Sequence, residues 1–155
     1  MKESRPTFAP GYGISSETTG LIPWSDVEAE LAAARNYWIA TVTPDGKPHT
    51  TPIWGVWTQG RLYFGVDAHS QKSRNLEAAS TAVVHLESGD EVVILHCCVN
   101  AEDDPGTAAA VLAAYASKYG LPETFSFDPV LVAVPHRAFA WREADFPTTA
   151  SEYRR

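Results

Sequence analysis

Tyr37-Trp38-Ile39-Ala40-Thr41-Val42-Thr43-Pro44-Asp45-Gly46-Lys47-Pro48-His49-Thr50-Thr51-Pro52-Ile53-Trp54-Gly55-Val56-Trp57 is the stretch on which the fold turns. Tyr37 to Thr43 is aromatic and β-branched, Pro44 to Lys47 has turn composition, and strand character resumes from Thr50 to Trp57, which predicts a β-hairpin. The pattern repeats outward. Gln59-Gly60 marks a second turn before Leu62–Val66, and Ser88-Gly89-Asp90 separates the strands Thr81–Glu87 and Val92–Val99. Two further strand-like runs, Val130–Val134 and Ala138–Trp141, precede a polar tail. Between the strands lie three helical stretches. The first spans about residues 25–35, with Ser25 and Glu28 spaced as a capping box ahead of Val27, Leu31 and Ala34. The second is Ser70–Ala79, and the third, Pro105–Tyr119, has proline near its start and Gly120 just past its end. Short strands joined by tight hairpins, with helices tucked between, predict an antiparallel barrel with peripheral helices rather than βαβ units.

Residues 1–23, with Pro6, Pro10, Gly11, Gly13, Gly20 and Pro23, read as an irregular arm, and residues 24–155 as one domain. A chain of 155 residues with 45% hydrophobic side chains can bury a core without staples, which excludes general disorder. Twelve Lys and Arg against nineteen Asp and Glu give a net charge of −7, the wrong sign for tracking a nucleic-acid backbone. No nucleic-acid partner is expected. Cys97 and Cys98 are adjacent and read as free thiols in a reducing compartment, so a cytoplasmic location is expected. Met1–Gly13 lacks an apolar core and Val92–Val99 is too short to span a bilayer, so no membrane association is expected.

The chain has no phosphate-cradling Walker loop, no His-Glu-x-x-His, no Cys-x-x-Cys and no Gly-x-Ser-x-Gly elbow. Gly11-Tyr12-Gly13 follows no strand and reads as chain flexibility. In His96-Cys97-Cys98 alternation along a strand puts only two potential ligands on one face, so packing rather than a metal is expected.

One segment breaks a local rule. In His69-Ser70-Gln71-Lys72-Ser73-Arg74-Asn75-Leu76, Lys72 and Arg74 fall in the first turn of a helix, where the macrodipole disfavours cations. A bound anion resolves the conflict, because Ser70 and Ser73 offer hydroxyls, the first helical N–H groups are free and the cations add charge. The plain alternative is that both cations extend into solvent. Pro48 and Pro52 inside the strand ahead of it imply an edge or a bulge, where backbone groups, Thr50, Thr51 and Trp54 can face a heteroaromatic ring. Trp54 and Trp57 can equally be core or dimer-contact aromatics.

These blocks, together with Leu62-Tyr63-Phe64-Gly65, Val83-Val84-His85-Leu86-Glu87-Ser88-Gly89-Asp90-Glu91-Val92-Val93 and Phe139-Ala140-Trp141-Arg142-Glu143-Ala144-Asp145-Phe146-Pro147-Thr148, resemble the flavin/deazaflavin oxidoreductases related to pyridoxamine 5'-phosphate oxidase. The resemblance covers roughly residues 24 to 150. It implies an FMN-binding split β-barrel, mainly β with peripheral α, forming a homodimer with the cofactor at the subunit interface. By the same resemblance the phosphate is held by Ser70, Gln71 and Lys72, with Arg74 and Asn75 just beyond. The ring lies along Thr50, Thr51, Pro52, Ile53 and Trp54, and the strand from Tyr63 to Val66 contributes to the tail site. FMN-binding relatives often carry Arg where this chain has Gln71, whereas Gln-Lys is familiar among users of the deazaflavin coenzyme F-420, so the implied cofactor is F-420 or FMN. The C-terminal Arg and His pair that binds vitamin B6 in the true oxidases has no match, and B6 oxidation is not expected.

The implied activity is hydride transfer between the cofactor and a small planar substrate, with the protein supplying position, electrostatics and exclusion of water. No catalytic residue is assigned. His49 and His85 could relay protons, but a histidine on a strand is more often a hydrogen-bonded structural group. Two alternatives stand: a non-catalytic carrier or sensor of flavin, deazaflavin or haem, and a dimer that has lost its cofactor site. Open space above the ring, lined by Trp54, Trp57 or Trp141, would favour an enzyme.

Overall fold

Along β2 (Asn36–Val42) the side chains alternate: Tyr37, Ile39 and Thr41 are buried, while Asn36, Trp38, Ala40 and Val42 face outward. That period of two is what a half-buried antiparallel strand requires. In the computed structural model, which describes residues 1–9 and 11–155, β2 pairs with β3 (Pro48–Trp54) in the register Asn36↔Trp54 to Val42↔Pro48, across a turn closed by Thr43 N–H donating to Lys47 O at 2.9 Å. The decisive hairpin is present. After Gly55, β4 (Val56–Thr58) turns back into β5 (Arg61–Phe64) through Gln59 and Gly60, both at positive φ, as a tight two-residue hairpin turn demands. The remaining strands are β6 (Thr81–His85), β7 (Glu91–Ala101) and β8 (Leu131–Arg142). Two short strands at the termini, β1 (Lys2–Ser4) and β9 (Ser151–Arg154), complete one sheet in the order β1-β9-β8-β7-β6-β2-β3.

One edge of β8 pairs with β7 along its length, while the other pairs first with β5, at Leu131–Ala133, and then with β9, at Arg137–Ala140. Because β3 runs on through Gly55 into β4, and β4 pairs with β5, the sheet closes on itself as a split barrel. Inside lie Tyr37, Ile39, Leu62, Phe64, Val84, Leu95, Cys97 and Tyr153. Burial pushes the Cys97 thiol up to about 12, with the adjacent Cys98 sulfur adding to this, so Cys97 is a packing group; Cys98 is exposed and both thiols are free.

Gly55 closes the barrel by lacking a side chain. A Cβ there would lie 2.8 Å from Leu62 Cδ1 and 3.0 Å from Tyr63 O. Gly55→Ala is therefore expected to destabilise the chain by about 1–3 kcal/mol through overpacking, read as a lower urea midpoint with an unchanged slope. An unchanged midpoint would show that the β3–β4 junction can relax.

The helices differ from expectation only at their edges. α1 (Trp24–Ala33) starts from Pro23 with no side-chain cap, and Ser25 Oγ lies 3.3 Å from Asp26 Oδ1 instead, so the predicted capping box does not form. α2 (Gln71–Ala78) is capped by Ser70 Oγ, which accepts from Ser73 N–H at 3.1 Å. α3 (Pro105–Tyr119) has the predicted limits, with Asp104 Oδ2 accepting from Thr107 N–H at 2.7 Å. The two predicted final strand runs are one strand, β8: the register shifts by one residue opposite His96 and Cys97, so Pro135-His136 forms a bulge rather than a break.

Two expectations about the termini are corrected. The arm is not irregular throughout, since Lys2–Ser4 pairs with Ser151–Arg154. Pro10, assigned to that arm, lies outside the described residues. The polar tail is a 3-10 turn (Glu143–Asp145), α4 (Phe146–Thr149) and β9, with Tyr153 fully buried and its hydroxyl donating to Ile22 O at 2.6 Å. A single hydrophobic residue among charges carries no periodicity, which is why composition misread it. No helix among the described residues is long and apolar enough to cross a membrane.

Candidate functional site

A cleft of about 590 Å³ opens between the outward face of the β2–β3 hairpin and the N-terminus of α2. One wall is Asn36 and Trp38 from β2 with Pro52, Ile53 and Trp54 from β3. The other is Gly65, Val66 and Asp67 after β5, with Ser70 and Lys72 of α2, while Glu87 and Tyr115 complete the lining. Register explains the first wall, because Asn36 faces Trp54 and Trp38 faces Pro52, and all four are on the outward face of the hairpin.

The α2 end of the cleft carries groups able to receive an anion, beside the carboxylate of Asp67. The N–H groups of Gln71 and Lys72 have no acceptor among the described residues, and Lys72 forms no ion pair or hydrogen bond there. Ser70 Oγ accepts from Ser73 N–H and keeps its own proton to donate. Asp67 turns one oxygen inward on its loop, accepting from His69 N–H at 2.7 Å. Free N–H groups and an unpaired ammonium at one helix start fit a phosphate.

The other end is aromatic. The Trp54 ring is 40% exposed and stacks on Tyr119 at 4.4 Å with the planes 3° apart, while Arg35 sits over both rings. The Tyr119 hydroxyl accepts from Gly55 N–H at 2.8 Å and lies 2.7 Å from Arg35 O, so α3 fixes the strand that carries Trp54. Lys118 Nζ donates to Gly55 O at 2.8 Å, and burial together with Arg35 lowers its pKa. Tyr115, lining the cleft, has its hydroxyl pushed up to about 12 by burial and by Tyr119, so at neutral pH it is a neutral donor.

Of the residues predicted for a cofactor, the structure brings Pro52, Ile53, Trp54, Ser70 and Lys72 to the cleft. The side chains of the others lie elsewhere, Gln71 offering the cleft only its backbone N–H. Thr50 is exposed with Oγ1 3.3 Å from Ile39 O, and Thr51 points inward with a buried hydroxyl that has no partner among the described residues. Tyr63 is fully buried beneath α3 with Val111, Val130 and Val132, away from the cleft. Gln71 and Arg74 bond to each other at 2.8 Å, Arg74 also donates to His69 O, and Gln71 donates to Asn75. Asn75 is buried and donates to Thr41 Oγ1 at 2.9 Å, tying α2 to β2. Trp57 is core, packed on Trp24, and Trp141 lies in a separate recess. Neither His49 nor His85 lines the cleft: the His85 ring stacks on Trp38, and its Nδ1 is 2.7 Å from Leu86 O.

Sequence reasoning missed Asn36, Trp38, Asp67, Glu87 and Tyr115. For Asn36 and Trp38 the signal existed, since the predicted hairpin turn fixes which residues face Pro52 and Trp54.

Three solved structures share the fold. An F420 reductase is 24% identical, with 72% of this chain and 94% of that one covered and a TM-score of 0.55. A pyridoxamine 5'-phosphate oxidase-related, FMN binding protein from Nostoc punctiforme is 18% identical, covering 87% and 92% with a TM-score of 0.60. A heme storage protein from Vibrio cholerae is 16% identical, covering 75% and 92% with a TM-score of 0.60. No curated protein matches the sequence. The family model described as pyridoxamine 5'-phosphate oxidase matches residues 24–142, which holds α1, the barrel strands β2 to β8 and both walls of the cleft. By that match the chain belongs to the pyridoxamine 5'-phosphate oxidase family.

Proposed function

We propose that the chain is an oxidoreductase that transfers a hydride between a deazaflavin or flavin cofactor, coenzyme F-420 or FMN, and a small planar substrate. The observation that carries the reading is the pairing, within one cleft, of an anion-receptive helix start with an open aromatic wall. When bound, the cofactor supplies the two-electron chemistry. The chain's own residues bind and orient it: Lys72 Nζ, Ser70 Oγ and the N–H groups of Gln71 and Lys72 hold the phosphate, while Trp54 and Pro52 bound the ring. Tyr115 offers a hydroxyl proton to an electronegative edge.

Charge favours F-420. Arg74 spends its guanidinium on His69 O and Gln71 Oε1, and Gln71 is neutral, so Lys72 is the cation facing the cleft. FMN ends in a phosphate monoester with about 1.5–2 negative charges at neutral pH, as other phosphate monoesters carry, whereas the phosphate of F-420 is a diester with a single charge. One ammonium, with the carboxylates Asp67 and Glu87 also lining the cleft, suits a singly charged diester better than a doubly charged monoester. A haem carrier is less well supported, because no His, Cys or Met is among the cleft-lining residues, and those are frequent axial ligands.

The cleft is open on one side, and Trp54 and Val42 leave large apolar surface exposed on the outward sheet face. We infer a homodimer in which the partner subunit covers this face and completes the cofactor site. Vitamin B6 is not the proposed substrate, since the C-terminal Arg and His pair of the true oxidases has no match in Glu152-Tyr153-Arg154-Arg155.

Titration of the purified protein with F-420 and, separately, with FMN, followed by fluorescence, tests the reading. Saturable binding with F-420 the tighter ligand is expected. Binding of neither would overturn the redox assignment, and tighter FMN binding would overturn the charge argument.

A further inference from the structure

A second recess, of about 380 Å³, lies against the outer face of β8 and shares no lining residue with the cleft. Its walls are Phe8 and Tyr12 from the N-terminal arm, Trp141 from β8 and Phe146 from α4, with Glu143 beside them. The rings meet edge-on or tilted: Phe8 and Trp141 at 88°, Trp141 and Phe146 at 88°, Tyr12 and Phe146 at 60°, Phe8 and Phe146 at 45°, Phe8 and Tyr12 at 41°. They form a box rather than a stack.

The arm is fastened over this box. Arg5 donates to Glu17 O at 2.6 Å, Thr19 O at 2.7 Å, Thr148 O at 2.5 Å and Ala150 O at 3.0 Å, and Ser15 N–H donates to Pro147 O at 3.3 Å. The arm's rings pack on the body, Phe8 lying 5.6 Å from Phe146 and 6.5 Å from Trp141, and the open recess beside them has the size of small-ligand pockets, roughly 300–1,000 Å³. Its charge has one sign. The Glu143 side chain forms no ion pair or hydrogen bond among the described residues, while its backbone N–H is fixed by Asp90 O at 2.8 Å, and no Lys or Arg lines the recess. Aromatic faces carry the negative end of the ring quadrupole, so four rings and a free carboxylate all attract a cation with little hydration to lose.

We propose that this recess binds a small organic cation of the methylated-ammonium class, with the rings around the alkylated nitrogen and Glu143 as counter-ion. It is independent of the redox reading, because none of these residues touches the cleft.

Isothermal titration of the full chain with choline, and with its uncharged carbon isostere dimethylbutanol, tests the assignment. Choline is expected to bind saturably, the isostere at least about tenfold more weakly, and Glu143→Gln to weaken choline about three- to tenfold. Glu143 is exposed, so that variant keeps the fold. Trp141→Leu is expected to lose about tenfold or more, with F-420 affinity unchanged in both variants. Absence of saturable choline binding, equal binding of the isostere, or choline binding indifferent to Glu143→Gln would each overturn the proposal.

Discussion

The Lys72→Ala variant is expected to bind F-420 about 10- to 100-fold more weakly than the native chain, the effect of removing one charge-assisted contact worth about 1.5–3 kcal/mol. The fold should be untouched, because Lys72 is engaged with no other side chain among the described residues. Arg74→Ala is the contrasting case. Its guanidinium is turned back onto His69 O and Gln71 Oε1, so its removal should change affinity by less than about threefold. Raising salt should weaken native binding and leave Lys72→Ala less sensitive, since the screened charge is gone. Equal affinity of native and Lys72→Ala chains would remove the phosphate from the start of α2.

The second large effect belongs to the C-terminus. Tyr153 is fully buried, its ring lies 5.0 Å from Trp24, and its hydroxyl donates to Ile22 O, joining β9 to the segment that leads into α1. Tyr153→Ala is expected to destabilise the chain by about 3–5 kcal/mol, the usual range for emptying a buried aromatic site. For a chain of this size that lowers Tm by roughly 6–20 °C. Tyr153→Phe isolates the hydrogen bond and should lose about 1–3 kcal/mol, because Ile22 O is left unpaired in a buried position. A tail that only decorated the surface would give no change in either variant, so differential scanning calorimetry separates the two accounts. Glu152 is buried as well, and it is held by Arg137 and Arg154 at 2.6 Å each, which explains how a charged residue sits inside this strand.

The sequence made the barrel legible where side chains alternate and turns are explicit. Tyr37 to Thr43, Pro44 to Lys47 and the run to Trp54 carry both signals, and the hairpin forms as they indicate. α3 was equally plain, with Pro105 at one end and Gly120 at the other. The termini were opaque because their burial is tertiary. Lys2–Ser4 and Ser151–Arg154 become strands by pairing across the whole length of the chain, and neither has a periodic pattern of its own. Val130–Val134 and Ala138–Trp141 read as two runs and are one strand with a bulge at Pro135-His136, which local sequence cannot distinguish from a break.

The site followed the same division. The conflict between the helix dipole and Lys72 pointed to the start of α2 before any fold was known, and Lys72 does face the cleft. Arg74 and Gln71 obeyed a different demand, pairing along their own helix at spacings of three and four residues. The family resemblance alone places Tyr63 at the tail site, yet it is buried beneath α3. Glu87 and Tyr115 reach the cleft from segments remote in sequence, and no spacing rule joins them to Trp54.

The central claim is that a phosphate-bearing deazaflavin or flavin lies between the β2–β3 hairpin and the start of α2. A crystal structure of the protein soaked with F-420 tests it most directly. The account predicts the phosphate within hydrogen-bonding distance of Lys72 Nζ, Ser70 Oγ and the N–H groups of Gln71 and Lys72, with the ring system along Pro52–Trp54. An empty cleft in the soaked crystal, or a cofactor whose phosphate lies away from α2, would contradict it.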